Sequence, residues 1–268
     1  MKRPPFAFLI VPIATLAWHS PAQQPAIRAP STNAPTRLKN PGDIQFKHDS
    51  FTFVRIQFFG DSHKKWFVDY PDADLNFSAR FGKETSLKTN PTGKVLQLTN
   101  VELSQYPFIY IVQGGDMRLS DAEAKALRAY LLGGGFLMVD DFWGEPEWKS
   151  LAAQMKRVFP DREPVDLDIK HPIFHTWYDL QAKPQVPNVA RGVLSQSDGI
   201  TWEREDAKEP HYRALLNDAG HVMAIFCHNT DLGDGWERES SNEYYLKEFS
   251  EKKAYPMGIN IVVYALTH

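Results

Sequence analysis

Two short stretches place acids beside aromatic residues. In GGGFLMVDDFWG (Gly133–Gly144), an apolar run ends in Asp140 and Asp141, followed by Phe142 and Trp143. In CHNTDLGDGWE (Cys227–Glu237), His228, Asn229, Asp231, Asp234 and Glu237 lie among glycines, next to Trp236. Carboxylates and amides of this kind suit proton transfer, hard-cation binding or recognition of sugar hydroxyls. The same residues also have structural uses. Adjacent side chains on a strand diverge, so only one of Asp140 and Asp141 is expected to enter a given site. The other suits the exposed N–H groups of a helix start near Pro146. Asn229, Asp231 and Asp234 suit loop ordering through bonds to backbone. Trp236 suits packing or ligand stacking, and Glu237 a site acid or a helix start.

Histidine and cysteine chemistry finds less support. His171 and His175 stand four apart in KHPIFHTW, yet Pro172 disfavours the shared helix face that metal binding needs, and no HExxH pattern is present. A packed or hydrogen-bonded His171 is the expectation. Cys227 and His228 are neighbours beyond an apolar strand, and adjacent strand side chains point apart, so they do not form a nucleophile–base pair. Cys227 reads as a small buried residue and, being alone, forms no internal disulfide. The candidate ligand-contacting residues are therefore Asp140, Asp141, Trp143, His171, His228, Asn229, Asp231, Trp236 and Glu237. No catalytic residue, metal-ligand set or cofactor is assigned.

Elements that position these residues are legible from periodicity. FTFVRIQF alternates as a strand, with Val54 and Ile56 on one face and Arg55 and Gln57 on the other. A short helix with Leu75, Ala79 and Phe81 facing a core follows, then a weak strand at KVLQL. FIYIV is a continuous apolar strand. Ser120 and Glu123 have capping-box spacing, Leu127, Tyr130 and Leu131 form a stripe, and Gly133–Gly135 stop the helix before FLMVD. Strand, helix, strand with two-sided apolar strands is a parallel crossover unit. Pro146 opens a helix carrying Trp148, Leu151 and Met155. VDLDI is a short strand, HVMAIF a strong one, CHNTDLGDGWE a polar loop, and SNEYYLKEF and GINIVVYAL helices. The fold class expected is α/β: a mostly parallel sheet with helices on both faces. Ligands in such folds bind beyond the carboxyl ends of strands. If the strands before the two acidic stretches are neighbours, the stretches meet on one rim.

The first residues read as an export signal: Lys2 and Arg3, a short apolar run, then Ser20-Pro21-Ala22. Residues 1–22 are expected to be a secretory peptide, 23–47 a flexible lead-in rich in Pro, Ala, Ser, Thr and Gln, and 48–268 a single α/β domain. The expected location is periplasmic or secreted, with no transmembrane segment after cleavage. Formal charge is −3 and no basic face recurs, which argues against nucleic acid. A small molecule, a carbohydrate or an envelope protein is the expected partner.

Several separated segments resemble the DUF4159 family, an uncharacterised bacterial domain family: YPFIYIVQGGDMRLSDAEAKALRAYLLGGGFLMVDD, HPIF, NTDLGDGWE and MGINIVVYALTH, in similar order over about 51–268. The resemblance implies a three-layer sandwich of the class I glutamine amidotransferase-like, flavodoxin-like group. The amidotransferases of that group carry a cysteine at a strand-to-helix elbow. Here the comparable strand end is Val139-Asp140-Asp141-Phe142, without cysteine, and their later His/Glu pair is not recognisable. No Ser/Thr-rich phosphate loop suggests flavodoxin-like cofactor use. The function expected is an exported ligand-binding or envelope-associated module, with a carboxylate- or metal-dependent hydrolase using the strand-end acids as the alternative. A structural interaction protein, presenting Trp66, Trp143 or Trp236 as an apolar patch, is a third reading.

Overall fold

Short runs of Val, Ile, Leu and Phe flanked by turn residues form the strands, and longer runs with a 3.6-residue apolar stripe form the helices. The computed structural model describes residues 49–60 and 65–268. The export signal and lead-in expected over 1–22 and 23–47 lie outside the described residues. In chain order the elements are β1 (Val54–Ile56), α1 (Asp72–Thr85), β2 (Lys94–Leu96), β3 (Phe108–Val112), α2 (Asp121–Leu132), β4 (Phe136–Phe142) and α3 (Gly144–Val158). They continue with β5 (Val165–Asp166), α4 (Val189–Asp198), β6 (His211–Leu216), β7 (Val222–His228), α5 (Leu232–Glu237), α6 (Glu243–Tyr245) and α7 (Tyr255–Thr267).

The seven strands form one sheet in the order β2-β1-β3-β4-β7-β6-β5. From β2 to β7 all pairings are parallel, while β6 and β5 add antiparallel pairs at one edge. Helices cover both faces, giving three layers. On one face Phe53, Tyr110 and Met138 pack with Phe77 of α1, Trp236 of α5 and Ile259 of α7. On the other, Ile109, Leu137 and Val139 pack with Leu127 of α2 and Leu151 and Met155 of α3. The central strands are buried on both sides, which explains their unbroken apolar runs.

The crossover unit forms by the expected devices. Ser120 Oγ accepts from the Glu123 N–H at 3.2 Å and the Glu123 carboxylate accepts from the Ser120 N–H at 2.8 Å. Gly134 takes a left-handed conformation at the helix end (φ 95°).

Three details differ from the sequence reading. In α1 the inward residues are Ala73, Phe77 and Phe81, whereas Ala79 is exposed and Leu75 half-buried. The helix is turned by its aromatics: Phe77 and Phe81 stack at 5.9 Å and meet Phe51 and Phe53. Arg55 does not face water but is fully buried. CHNTDLGDGWE, expected to be a polar loop, contains α5, and every residue from 227 to 236 is buried. At the carboxyl end the two expected helices join through wide π turns over Leu246–Ala254, just before Pro256, which has no N–H to continue an ordinary turn. Among the described residues no helix is long and apolar enough to cross a membrane.

Candidate metal centre

All five parallel strands end on one rim. β1 and β3 are neighbours there, yet the helices that follow them, α1 and α2, pack on opposite faces. In open α/β sheets ligands bind at such a switch point. Asp69 reaches it from the connection after β1, Tyr110 from β3, Asp140 and Asp141 from β4, and Asp231 and Asp234 from the segment after β7.

The two adjacent aspartates do not diverge as a regular strand requires. Phe136 and Met138 face the α7 side, and Leu137 and Val139 the α3 side. Strict alternation would send Asp140 to the first and Asp141 to the second. Asp141 instead adopts a left-handed backbone (φ 52°), and the pairing of β4 with β7 shifts register between Val139 and Phe142. Phe142 takes the α3 side in its place. This bulge returns Asp141 to the side of Asp69 and Asp231, where Gln113 Nε2 donates to its Oδ2 and Trp143 Nε1 to its Oδ1 at 3.2 Å.

Asp140 is wholly buried; its Oδ2 accepts from the Gly233 N–H at 2.9 Å and the Tyr110 hydroxyl at 3.2 Å. Asp231 Oδ1 caps α5 by accepting from the Asp234 N–H at 2.7 Å, and Asp234 Oδ2 accepts from the Val189 N–H at 2.7 Å. Two oxygens have no such partner: Asp69 Oδ2 and Asp140 Oδ1 are both closed to solvent and accept no hydrogen bond. Gly233 keeps the middle of the cluster open. A Cβ there would stand 2.7 Å from Asp69 Oδ2, 2.9 Å from the Tyr110 hydroxyl and 3.5 Å from Asp231 Oδ1.

One oxygen from each of Asp69, Asp141 and Asp231 lies within 4.8 Å of the others, and the same holds for Asp69, Asp234 and Glu237. Such oxygen-only sets, the first largely buried and the second half-buried, match hard cations such as Mg²⁺, Mn²⁺ and Ca²⁺. Without a cation the carboxylates repel one another in a dry setting. Burial, then the charges of Asp141 and Asp234, pushes Asp69 well above the carboxylate range. Burial, then Asp141 and Asp69, does the same to Asp231. Burial raises Asp141 to about 8 against the Gln113 hydrogen bond, and Asp140 to about 7 against the Gly233 N–H. Asp234 rises to about 6, mainly by burial.

Arg55 supports the centre from beneath. Its Nε contacts both Asp74 oxygens at 3.0 and 3.1 Å, and its Nη1 donates to Trp66 O at 3.2 Å and Val68 O at 2.8 Å, fixing the backbone leading into Asp69. The guanidinium also lies 5.0 Å from the Tyr110 ring centroid.

The remaining candidates fall into other places. Asn229 Oδ1 accepts from the Gly144 N–H at 2.8 Å and its Nδ2 donates to Glu209 O at 2.8 Å, so it ties the β7 turn to the β4 turn. Trp143 is buried beside Asp141, and Trp236 is fully buried among Phe53, Phe77 and Tyr110. Neither offers the exposed patch expected of an interaction protein, because both fill the core beneath the turns that carry them; Trp66 is half-buried. Glu237 belongs to the second acidic set and pairs with Arg238 at 2.7 Å. His228 turns to the α3 side, where Nε2 donates to Gly144 O at 3.0 Å and Nδ1 accepts from Arg213 at 2.6 Å. Burial holds it neutral, with its pKa down to about 4. His171 accepts from the Ile173 N–H at 3.2 Å and lies against Tyr264, which packs on Phe136 at the far end of β4. Neither histidine joins the acids. Cys227 is buried and free.

A family model described as a domain of unknown function, DUF4159, matches residues 51–266. The chain belongs to the DUF4159 family. No curated protein matches it. The matched region of this DUF4159 chain contains the whole acidic centre, Asp69 to Glu237. Asp69, Asp234 and Gln113 were not among the sequence candidates. Asp69 sits in VDYPDAD, an acid-rich turn after a strand, but nothing local ties it to acids some 70 and 160 positions away.

Proposed function

We propose that this DUF4159 chain is a carboxylate- and metal-dependent hydrolase, with Asp69, Asp141 and Asp231 holding a hard divalent cation. One observation carries the reading: three acids from three separate segments, two of them buried and one half-buried, converge within 4.8 Å of one another. The unpartnered Asp69 Oδ2 supports it, since a buried carboxylate oxygen without a donor has a strong demand for a cation. The cation would polarise a water or a substrate oxygen. A water so polarised would bond to the electrophilic carbon or phosphorus of an ester as the bond to the leaving oxygen breaks, giving one proton to a carboxylate such as Asp140, while the leaving oxygen would take a proton from solvent. Asp140 Oδ1, buried and without a donor, is the spare acceptor beside the cation ligands.

An exported location fits the amino-terminal reading, and the layered sheet suits kinship with class I amidotransferase-like or flavodoxin-like sandwiches. Amidotransfer itself has no support from Cys227, whose thiol burial pushes up out of the nucleophilic range. The test is a calorimetric titration of chelator-stripped protein with Mg²⁺, Mn²⁺ and Ca²⁺, followed by a panel of chromogenic carboxylic, phosphoric and glycosidic esters. Cation-dependent turnover lost in Asp141→Asn supports the hydrolase. Cation binding without turnover leaves a binding module, and no cation binding rejects the reading.

A further inference from the structure

The two acidic sets, Asp69 with Asp141 and Asp231, and Asp69 with Asp234 and Glu237, share one residue. A carboxylate has two oxygens, and one that belongs to two donor sets is placed to bridge two cations, which in two-metal sites stand roughly 3.5–4 Å apart. Asp69 has the freedom to do so. Its Oδ2 is buried and accepts no hydrogen bond, and Gly233 contributes no side chain to the space in front of it. By contrast Asp141 has both oxygens engaged by side-chain donors, and Asp231 Oδ1 and Asp234 Oδ2 are held by backbone N–H groups. Beside the outer set stands Arg238, half-exposed, 2.7 Å from Glu237 and 3.8 Å from Asp234.

We propose that the centre is binuclear, with Asp69 bridging an inner cation held by Asp141 and Asp231 and an outer cation held by Asp234 and Glu237. This rests on the cation-binding reading above and deepens it. The outer site is the weaker of the two, because its ligands are less buried and Arg238 competes for them.

The experiment is a Mn²⁺ titration of the chelator-stripped full chain, read by calorimetry and by electron paramagnetic resonance. Two equivalents with an exchange-coupled multiline spectrum are expected. Glu237→Gln, a change at a partly exposed position, should reduce binding to one equivalent and restore the six-line spectrum of isolated Mn²⁺. Asp69→Asn should abolish coupling, with circular dichroism confirming the fold. One equivalent in the wild-type chain, or two without coupling, overturns the bridge while leaving a cation site in place. Two coupled ions that persist in Glu237→Gln also overturn the assignment. No bound ion overturns both the bridge and the reading beneath it.

Discussion

The ends of β4 and β7 carry two polar clusters, one on each face of the sheet, and they are built differently. On the α3 side, His228 uses both ring nitrogens, stacks on Phe142 at 5.0 Å and neighbours Arg213, which lies 4.2 Å from the Trp148 ring centroid. No buried atom of His228 or Arg213 lacks a partner. On the α7 side, acids of one sign crowd together and two buried oxygens accept nothing. A satisfied polar network holds structure in place; a crowd of buried acids needs protons or a bound cation to relieve its repulsion. On this difference rests our proposal that the first cluster is scaffold and the second a cation site, although both are rich in polar residues and lie within a few positions of each other in the chain.

The comparison breaks most visibly at the support between acids and core. Arg55→Ala leaves Asp74 buried without its partner and frees the backbone before Asp69. We expect a loss of about 3–5 kcal/mol of stability, measured by urea unfolding. A loss below about 1 kcal/mol would show that Arg55 does not hold this corner.

The two clusters should answer pH in opposite senses. His228 titrates near 4 in the fold and near 6.5 when unfolded, so its contribution is present above pH 6.5 and fades as pH falls toward 4. The limb is worth up to about 3 kcal/mol, at roughly 1.4 kcal/mol per pH unit. His228→Gln should flatten it. The acids behave in reverse. Asp234, Asp140 and Asp141 are raised to about 6, 7 and 8, so the fold binds more protons than the unfolded chain above pH 4. Chelator-stripped protein should therefore lose stability as pH rises from about 4 to 8, and divalent cation should restore it. Thermal melts from pH 4 to 9, with and without cation, check both limbs. A metal-free protein most stable at pH 8 would contradict the acidic half.

A finer test fills the space between the acids. Gly233→Ala places a methyl group 2.7 Å from Asp69 Oδ2. Overpacking of this kind costs about 1–3 kcal/mol. We expect it to fall on cation affinity, as a tenfold or greater weakening by calorimetry. Unchanged affinity would mean that the cation sits elsewhere.

The layered fold is legible in the sequence because its signals are local: the Ser120/Glu123 box, the glycine stop before Phe136, and apolar runs in β3, β4 and β7. The shared rim follows from β4 and β7 being parallel neighbours. Other features depend on tertiary contacts that local patterns do not carry. Arg55 reads as the polar half of an alternating strand, because its partner Asp74 lies 19 positions away on α1. Asp140 and Asp141 read as divergent, because the bulge that turns Asp141 lies in the pairing with β7. Asp69 carries no local mark of its role and becomes visible only when the switch point brings it beside Asp231.

The central claim is that the acids at the β4 and β7 ends form a cation site. Its most direct test compares thermal unfolding of the wild-type chain with that of an Asp141→Asn/Asp231→Asn double variant, at pH 7.5, with and without saturating Mn²⁺. At a hundred times the dissociation constant, a bound ion adds about 2.7 kcal/mol. The account predicts that Mn²⁺ raises the wild-type midpoint by several degrees and leaves the variant's unchanged. An equal shift in both proteins, or none in the wild type, would contradict it.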